Sequence, residues 1–332
     1  MARFTLPSRP RVVVTRKLMP ETERRLGELF DVRLNASDRP LTREELVEAV
    51  STAHVLVPTI TDVIDAALIA GAGPDLWLIA NFGAGTNHID LAAARERRIA
   101  VTNTPGVLTD DTADLAMGLI VMAARRFANG MAVIRDGTWA GWAPSTLLGH
   151  RIAGRRLAIL GMGRIGQAVA HRARAFGLEI VYHNRHRLPA ALENMLGARY
   201  EPDLERLISG ADILSLHCPV TAETRHILSA ERIAAMKPGA IVVNTARGEL
   251  IDEPALAAAL EDGRLAAAGL DVFENEPALD PRLASAPNLV ALPHLGSATC
   301  EGREAMGERV VTNIQSWVDG HRPPDQVLEG LV

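Results

Sequence analysis

Short runs of apolar and β-branched residues alternate with stretches of helical period along most of the chain, a pattern that predicts βα units and mostly parallel sheets. In the first third the strand-like runs are Arg11–Thr15, His54–Pro58, Leu76–Ala80 and Ile99–Asn103. Helices are predicted between them over Pro20–Phe30, Thr42–Val50, Asp62–Ile69 and Asp90–Arg97, with Asp62 and Asp90 placed as N-caps. A break at Thr102–Gly106 ends this series. One long helix is predicted over Thr109–Asn129, carrying Leu115, Leu119, Met122 and Ala123 at helical spacing. A looser segment, Gly137–Gly149, holds Trp139 and Trp142. A second series of strands follows at Arg156–Leu160, Glu179–His183, Asp212–His217, Ala240–Asn244, Ala267–Asp271 and Asn288–Leu292, the number expected of a dinucleotide-binding sheet. A last helix over Ser297–Gly320 leaves that series.

At 332 residues the chain is too long for one ordinary core, so two domains are expected. Aromatic residues are 4% of the total, so Ala, Val, Leu and Ile must fill most of the interior. The formal charge of −5 gives no global attraction for nucleic acid or an anionic membrane, and an anionic ligand must be met by a local cluster. Cys218 and Cys300 form no CxxC pair and fall in no metal-ligand spacing, so no metal is expected and two free thiols in a reducing compartment is the simpler reading. Met1–Pro10 lacks the apolar run of a signal peptide, and the apolar stretch near Ala113–Ala124 is too short to span a bilayer. The chain therefore reads as cytoplasmic.

Chemistry first shows at Arg156–Gly166, a strand that runs into Gly161-x-Gly163-x-x-Gly166 with a helix directly after it. Gly161 serves the tight turn, Gly163 a close backbone approach to a pyrophosphate, and Gly166 the packing of helix on strand. The helix N-terminus then offers free N–H groups and positive dipole charge. A bare glycine pattern is weak evidence, but strand, spacing, helix and next strand all agree here. Beyond that next strand stands Asn184, where an NAD enzyme carries Asp or Glu for the ribose 2′-hydroxyl. Arg185 and Arg187 follow and are suited to a 2′-phosphate, which favours NADP(H) with NAD(H) also usable; the alternative is that these arginines only cover the surface.

Three later motifs lie at the ends of strands in the same series, where ligands of open α/β sheets bind. Arg247 follows an apolar strand and could grip a carboxylate with two hydrogen bonds. Asp271 ends a strand, and Glu274 and Glu276 follow in a loop closed by Pro277. His294 follows a short strand and a proline. Alone, each is compatible with a solvated turn. Together they supply a carboxylate clamp, an acid and its orienting partner. Next to Glu276, His294 is expected to have its imidazolium form favoured, with a pKa above the reference of ~6.5. That set suits reduction of a 2-keto acid, with His294 protonating the developing alkoxide.

With these motifs in hand, the chain resembles the D-2-hydroxyacid dehydrogenase family over nearly its whole length. The likeness rests on Asn81–Asp90, the GMGRIG loop, His217-Cys218-Pro219 with Thr224, Asn244–Gly248, Asp271–Pro277 and Pro293–Ser297. The resemblance implies that Arg247, Glu276 and His294 are the catalytic trio, and that backbone amides at Ala84 and Gly85 help bind the substrate carboxylate. It implies that Met162, Gly163, Arg164 and Ile165 bind pyrophosphate, that Cys218, Pro219 and Thr224 line the cofactor, and that Ala246 and Asp271 lie near the nicotinamide. His217, Thr245 and Gly296, from the same motifs, join the cofactor set.

The implied fold is two Rossmann-like doubly wound parallel-sheet domains. A substrate domain of residues 1–103 and 296–332 is interrupted by an NAD(P)-binding domain of residues 104–295. A homodimer through the helix at about 109–129 is implied as well. Within the family, Val107–Thr112 and the Trp139/Trp142 loop are most similar to glyoxylate and hydroxypyruvate reductases. There a tryptophan of the partner subunit can border the substrate site, which the resemblance carries to Trp139. The alternatives are a dehydrogenase of a larger keto acid, a nucleotide-sensing corepressor of the same fold, and a hydrolase with tightly held NAD. The last two call for additional chain segments.

Overall fold

The computed structural model describes residue 7 and residues 9–327, so the ends of the expected substrate domain lie outside the described residues. The chain divides into two compact units, Met1–Leu108 with Thr299–Val332, and Thr109–Ala298. Val107 and Leu108 pack on the core of the first, while Gly296 accepts a hydrogen bond from Thr112 Oγ1 at 2.8 Å within the second.

The first unit is a five-stranded parallel sheet of β1 (Arg11–Val14), β2 (Asp31–Arg33), β3 (Val55–Val57), β4 (Leu78–Ala80) and β5 (Ala100–Thr102), in the order β2-β1-β3-β4-β5. Strand alternation sorts the core into two layers. Val13, Leu56, Ile79 and Val101 face Leu46, Val50, Leu68, Ile69 and Ala94 of the helices at Arg43–Thr52, Ala66–Ala70 and Leu91–Glu96. Val12, Val14, Val55, Val57, Leu78 and Ala80 face Leu26 of Pro20–Leu29 and Met306, Val310 and Ile314 of the final helix, Cys300–Val318. That helix is added from the far end of the chain, which makes the unit discontinuous.

The second unit holds β6 (Arg156–Leu160), β7 (Glu179–His183), β8 (Ala198–Tyr200), β9 (Ile213–Leu216), β10 (Ala240–Asn244), β11 (Leu265–Leu270) and β12 (Leu289–Ala291). All pair in parallel, in the order β12-β11-β10-β9-β6-β7-β8. The order reverses at β6, which pairs with β7 on one side and β9 on the other; this is the switch point at which doubly wound sheets bind ligands. The central strands are buried on both faces, which is why they read as unbroken apolar runs.

Three expectations are corrected. The helix predicted over Thr109–Asn129 ends at Ala124, and a second helix, Phe127–Arg135, leaves at 71°. The break is made by Arg126 in the left-handed region at φ 54°, while the His150 N–H caps the Ala124 carbonyl at 2.7 Å. The face it buries is also shifted: Ala113, Ala116, Met117, Leu119, Ile120 and Ala123 pack inward, leaving Leu115 and Met122 half-buried. The helix lies close on β11, where a Cβ added to Gly269 would stand 3.0 Å from the Leu119 Cβ. Finally, Asp62 caps no helix. The helix starts at Ala66 with Asp65 as its cap, and the Asp62 carboxylate is buried, accepting from Thr15 Oγ1 at 2.5 Å and from the Thr59 N–H at 2.8 Å. Asp90 does cap, accepting from the Ala93 N–H at 2.9 Å.

Candidate active site

The phosphate loop leaves β6 at Gly161, whose φ of +98° needs glycine. A Cβ there would also stand 2.6 Å from Cys218 N, on the segment leaving β9. Gly166 packs helix on strand so tightly that a Cβ would lie 2.3 Å from the Gly161 carbonyl. Gly163, the N-cap of the helix Arg164–Ala175, is exposed, and a Cβ there meets nothing within 4 Å. Among the described residues no side chain caps this helix, so its first amides, at Arg164 and Ile165, have no side-chain acceptor. The Met162 side chain is 1% exposed and belongs to the core, which limits that residue to backbone contacts.

At the end of β7, Asn184 Nδ2 donates to the His186 carbonyl at 3.0 Å, which ties it into its own turn. Arg185 is exposed and makes no ion pair among the described residues. Arg187 is not available as a second anion binder. It forks onto the buried Glu193 through Nε (2.9 Å) and Nη2 (2.7 Å), and Tyr182 donates to the same carboxylate at 2.7 Å. Beyond β9, the His217 N–H donates to the Leu160 carbonyl at 2.8 Å and its Nε2 meets Ser215 Oγ at 2.8 Å. Desolvation brings the His217 imidazole down to about 4 and pushes the Cys218 thiol up to about 11, so both stay neutral near pH 7. The Thr224 hydroxyl closes its own turn by donating to the Pro219 carbonyl at 2.7 Å.

Arg247 stands just past the end of β10, on a turn shaped by Asn244. That fully buried amide donates to the Arg247 carbonyl at 2.7 Å and accepts from the Ala246 N–H at 3.0 Å. Arg247 Nη1 donates to the Ala246 carbonyl at 2.6 Å. Desolvation lowers the guanidinium from its usual range, against the pull of Glu249 and Glu276, but it remains a cation at any physiological pH. The turn presses directly on the loop after β11: a Cβ on Gly248 would fall 1.9 Å from the Phe273 carbonyl carbon. Thr245 Oγ1 is buried and has no hydrogen-bond partner among the described residues.

On that loop Glu276 accepts from the Phe273 N–H at 2.9 Å through Oε1 and meets His294 Nδ1 at 2.8 Å through Oε2. Partial burial pushes the Glu276 carboxyl up. The His294 hydrogen bond and charge, the Phe273 amide and Arg247 outweigh that and leave it below the usual carboxylate range. An ionised Glu276 only accepts, so Nδ1 carries the proton and Nε2 is left without a partner among the described residues. Asp271, fully buried at the end of β11, accepts from the Leu295 N–H at 2.6 Å and the Gly296 N–H at 2.7 Å. It thereby fixes the loop on which His294 sits. Desolvation pushes the Asp271 carboxyl up, against those two amides and His294.

In the first unit, the loop after β4 is pinned by Asn81. Its Nδ2 donates to the Gly83 carbonyl at 3.0 Å and the Gly85 carbonyl at 2.9 Å, while Asn103 Nδ2 donates to the Ala84 carbonyl at 2.7 Å. With these carbonyls taken, the Ala84 and Gly85 N–H groups have no acceptor among the described residues. Trp139 and Trp142 are 61% and 85% exposed on a segment without regular structure.

These observations fit a dinucleotide: an uncapped helix end, a glycine cradle open where a Cβ would fill it, and an orphaned buried hydroxyl at Thr245, all on one sheet. Residues 117–296 match the family model "D-isomer specific 2-hydroxyacid dehydrogenase, NAD binding domain". The chain belongs to the D-isomer specific 2-hydroxyacid dehydrogenases. It is accordingly an NAD(P)-dependent oxidoreductase. It is 42% identical over 328 residues to a glyoxylate reductase of Thermococcus litoralis, covering 98% of each chain. Among solved dehydrogenases of the family, one from Polaromonas superimposes with a TM-score of 0.90 at 43% identity, covering 96% of this chain and 100% of that one. An NADPH-dependent glyoxylate/hydroxypyruvate reductase from Sinorhizobium meliloti, in complex with NADP and malonate, gives 0.84 at 35% identity over 97% and 98%.

Asn244 and Thr112 belong to sequence motifs that do not disclose what each holds: Asn244 shapes the Arg247 turn, and the Thr112 hydroxyl holds the Gly296 carbonyl. A buried polar residue closing an apolar strand is the signal for Asn244; Thr112 gives none, because its partner is distant in sequence.

Proposed function

We propose that this protein reduces a short 2-keto acid, glyoxylate or hydroxypyruvate, with NADPH preferred over NADH, and yields the D-2-hydroxy acid where the product is chiral. The observation that carries the proposal is the 2.8 Å pair of His294 and Glu276, the latter on a loop pressed against the Arg247 turn, with both following strands of the sheet that bears the phosphate loop. Met162, Gly163, Arg164 and Ile165 hold the pyrophosphate through backbone groups, on the turn that Gly161 and Gly166 make possible. His217, Cys218, Pro219, Thr224, Thr245, Ala246, Asp271 and Gly296 line the remaining cofactor. A bound reduced nicotinamide supplies the hydride equivalent for the substrate C2.

The chain's own residues do the rest. Arg247 holds the substrate carboxylate and offsets negative charge growing on the carbonyl oxygen. His294, oriented by Glu276 through Nδ1, gives that oxygen its proton from Nε2. Ala84 and Gly85 are assigned to the substrate carboxylate because their amides have no acceptor among the described residues. Arg185 is assigned to the 2′-phosphate, which the uncharged Asn184 does not repel. The exposed Trp139 is assigned to the substrate border of a second copy of the chain, in a homodimer built on the helix Thr109–Ala124.

Several curated relatives are named glyoxylate reductases, and the Sinorhizobium neighbour is named for glyoxylate and hydroxypyruvate. The test is a panel of glyoxylate, hydroxypyruvate, pyruvate and phenylpyruvate run with NADPH and with NADH. The highest kcat/KM is expected for the first two with NADPH; a preference for phenylpyruvate or for NADH overturns the assignment.

A further inference from the structure

We propose that Glu253 is a positioning residue that holds the Glu276 loop in register against the Arg247 turn. The inference rests on the catalytic reading of Arg247, Glu276 and His294. Glu253 opens the helix Glu253–Glu261, where an acidic side chain ordinarily stays in water while it favours the helix dipole. Here it is 5% exposed. A buried carboxylate is costly without a strong donor, and its donor is the Glu274 N–H, 2.7 Å from Oε1.

The neighbouring amide, Phe273 N–H, donates to Glu276 Oε1 at 2.9 Å. Two consecutive amides therefore end on two carboxylates. One comes from the loop itself and the other from the helix that follows the Arg247 turn. They flank the place where the Gly248 backbone touches the Phe273–Glu274 peptide, with no room for a Cβ. The Glu274 side chain is directed elsewhere, to Arg225 and to His226 Nε2, while the His226 N–H holds the Glu249 carbonyl at 2.7 Å. Glu253 is thus the side chain that joins the two catalytic loops from behind. It touches no reacting group, and its effect passes through the position of Glu276 and so through the orientation of His294. Burial pushes the Glu253 carboxyl up, and the charges of Glu274, Asp280 and Glu276 add to the cost, so what the carboxylate contributes is an acceptor at the right reach.

Reach and charge separate in two variants of the full-length protein. Glu253→Gln keeps the reach and removes the charge; Glu253→Asp keeps the charge and shortens the reach. Glu253→Gln should hold kcat within about threefold of wild type, while Glu253→Asp should lose on the order of 10²-fold in kcat with little change in the KM for cofactor. In the cofactor-free protein, the downfield NMR resonance of the His294 Nδ1 proton should persist in Glu253→Gln and be lost in Glu253→Asp. A Glu253→Asp variant with wild-type kcat and resonance overturns the proposal, as does a Glu253→Gln variant as damaged as Glu253→Asp. If Glu253→Asp does not fold, Glu253→Gln decides alone, since loss of its turnover or resonance overturns the proposal. A wild-type protein that turns over no 2-keto acid defeats the functional reading instead, and the resonance comparison still decides what Glu253 does.

Discussion

Asp271 holds His294 in a backbone conformation that a side-chain-bearing residue rarely adopts. His294 lies at φ 56°, its N–H donates to the Asp271 carbonyl at 2.9 Å, and the next two amides end on the two Asp271 carboxylate oxygens. Left-handed backbone outside glycine costs free energy of order 1–3 kcal/mol and persists only where the surroundings over-determine it. One buried carboxylate does so here, and the imidazole is presented to Glu276 as a result.

Asp271→Asn leaves one side-chain oxygen for two amides and turns an NH2 group toward the other. The expected loss is about 2 kcal/mol of stability together with reduced kcat. Chemical denaturation and steady-state kinetics check it; a variant as stable and as active as wild type contradicts the role given to Asp271.

His217 predicts a pH effect on stability. Desolvation brings its folded value down to about 4, below the roughly 6.5 of an unfolded imidazole. Between those values the unfolded chain binds the proton and the folded one does not. Stability is therefore complete above the unfolded value and falls as pH drops toward about 4. Denaturation midpoints of wild type and His217→Gln should diverge across that window, with only the wild type losing this contribution; parallel curves contradict it.

Arg185→Ala should raise the KM for NADPH by about 3- to 10-fold while leaving that for NADH nearly unchanged, because an exposed guanidinium is removed from a phosphate that only one cofactor carries. Equal effects on the two cofactors remove the 2′-phosphate assignment.

Arg247→Lys replaces a fork with a point charge. It should lower kcat/KM for the keto acid on the order of 10²-fold with cofactor affinity retained. Matching losses for substrate and cofactor point to collapse of the Asn244-shaped turn instead.

Much of this was legible in the residues. The buried parallel strands Arg156–Leu160, Glu179–His183 and Ala240–Asn244 have the bounds their apolar runs predict, since both faces are covered. The edge strands Asp31–Arg33 and Ala198–Tyr200 give no strand signal in the sequence because they are three residues long, partly exposed and without an apolar run. The kink at Arg126 is capped by His150, which arrives from the end of a long irregular segment. Arg185 and Arg187 look equivalent as sequence; Glu193, on a helix whose facing cannot be read locally, separates them. The pairing of Glu276 with His294 was expected from the chemistry each could do for the other, whereas the support from Asp271, Asn244 and Glu253 is backbone hydrogen bonding that leaves no periodic trace.

The most direct test is His294→Gln, assayed for keto-acid reduction with NADPH and titrated for NADPH binding by fluorescence. The account predicts a kcat reduced 10²- to 10⁴-fold, as for loss of a general acid, with a Kd for NADPH close to that of wild type. Turnover within a few-fold of wild type would contradict it and remove His294 as the proton donor.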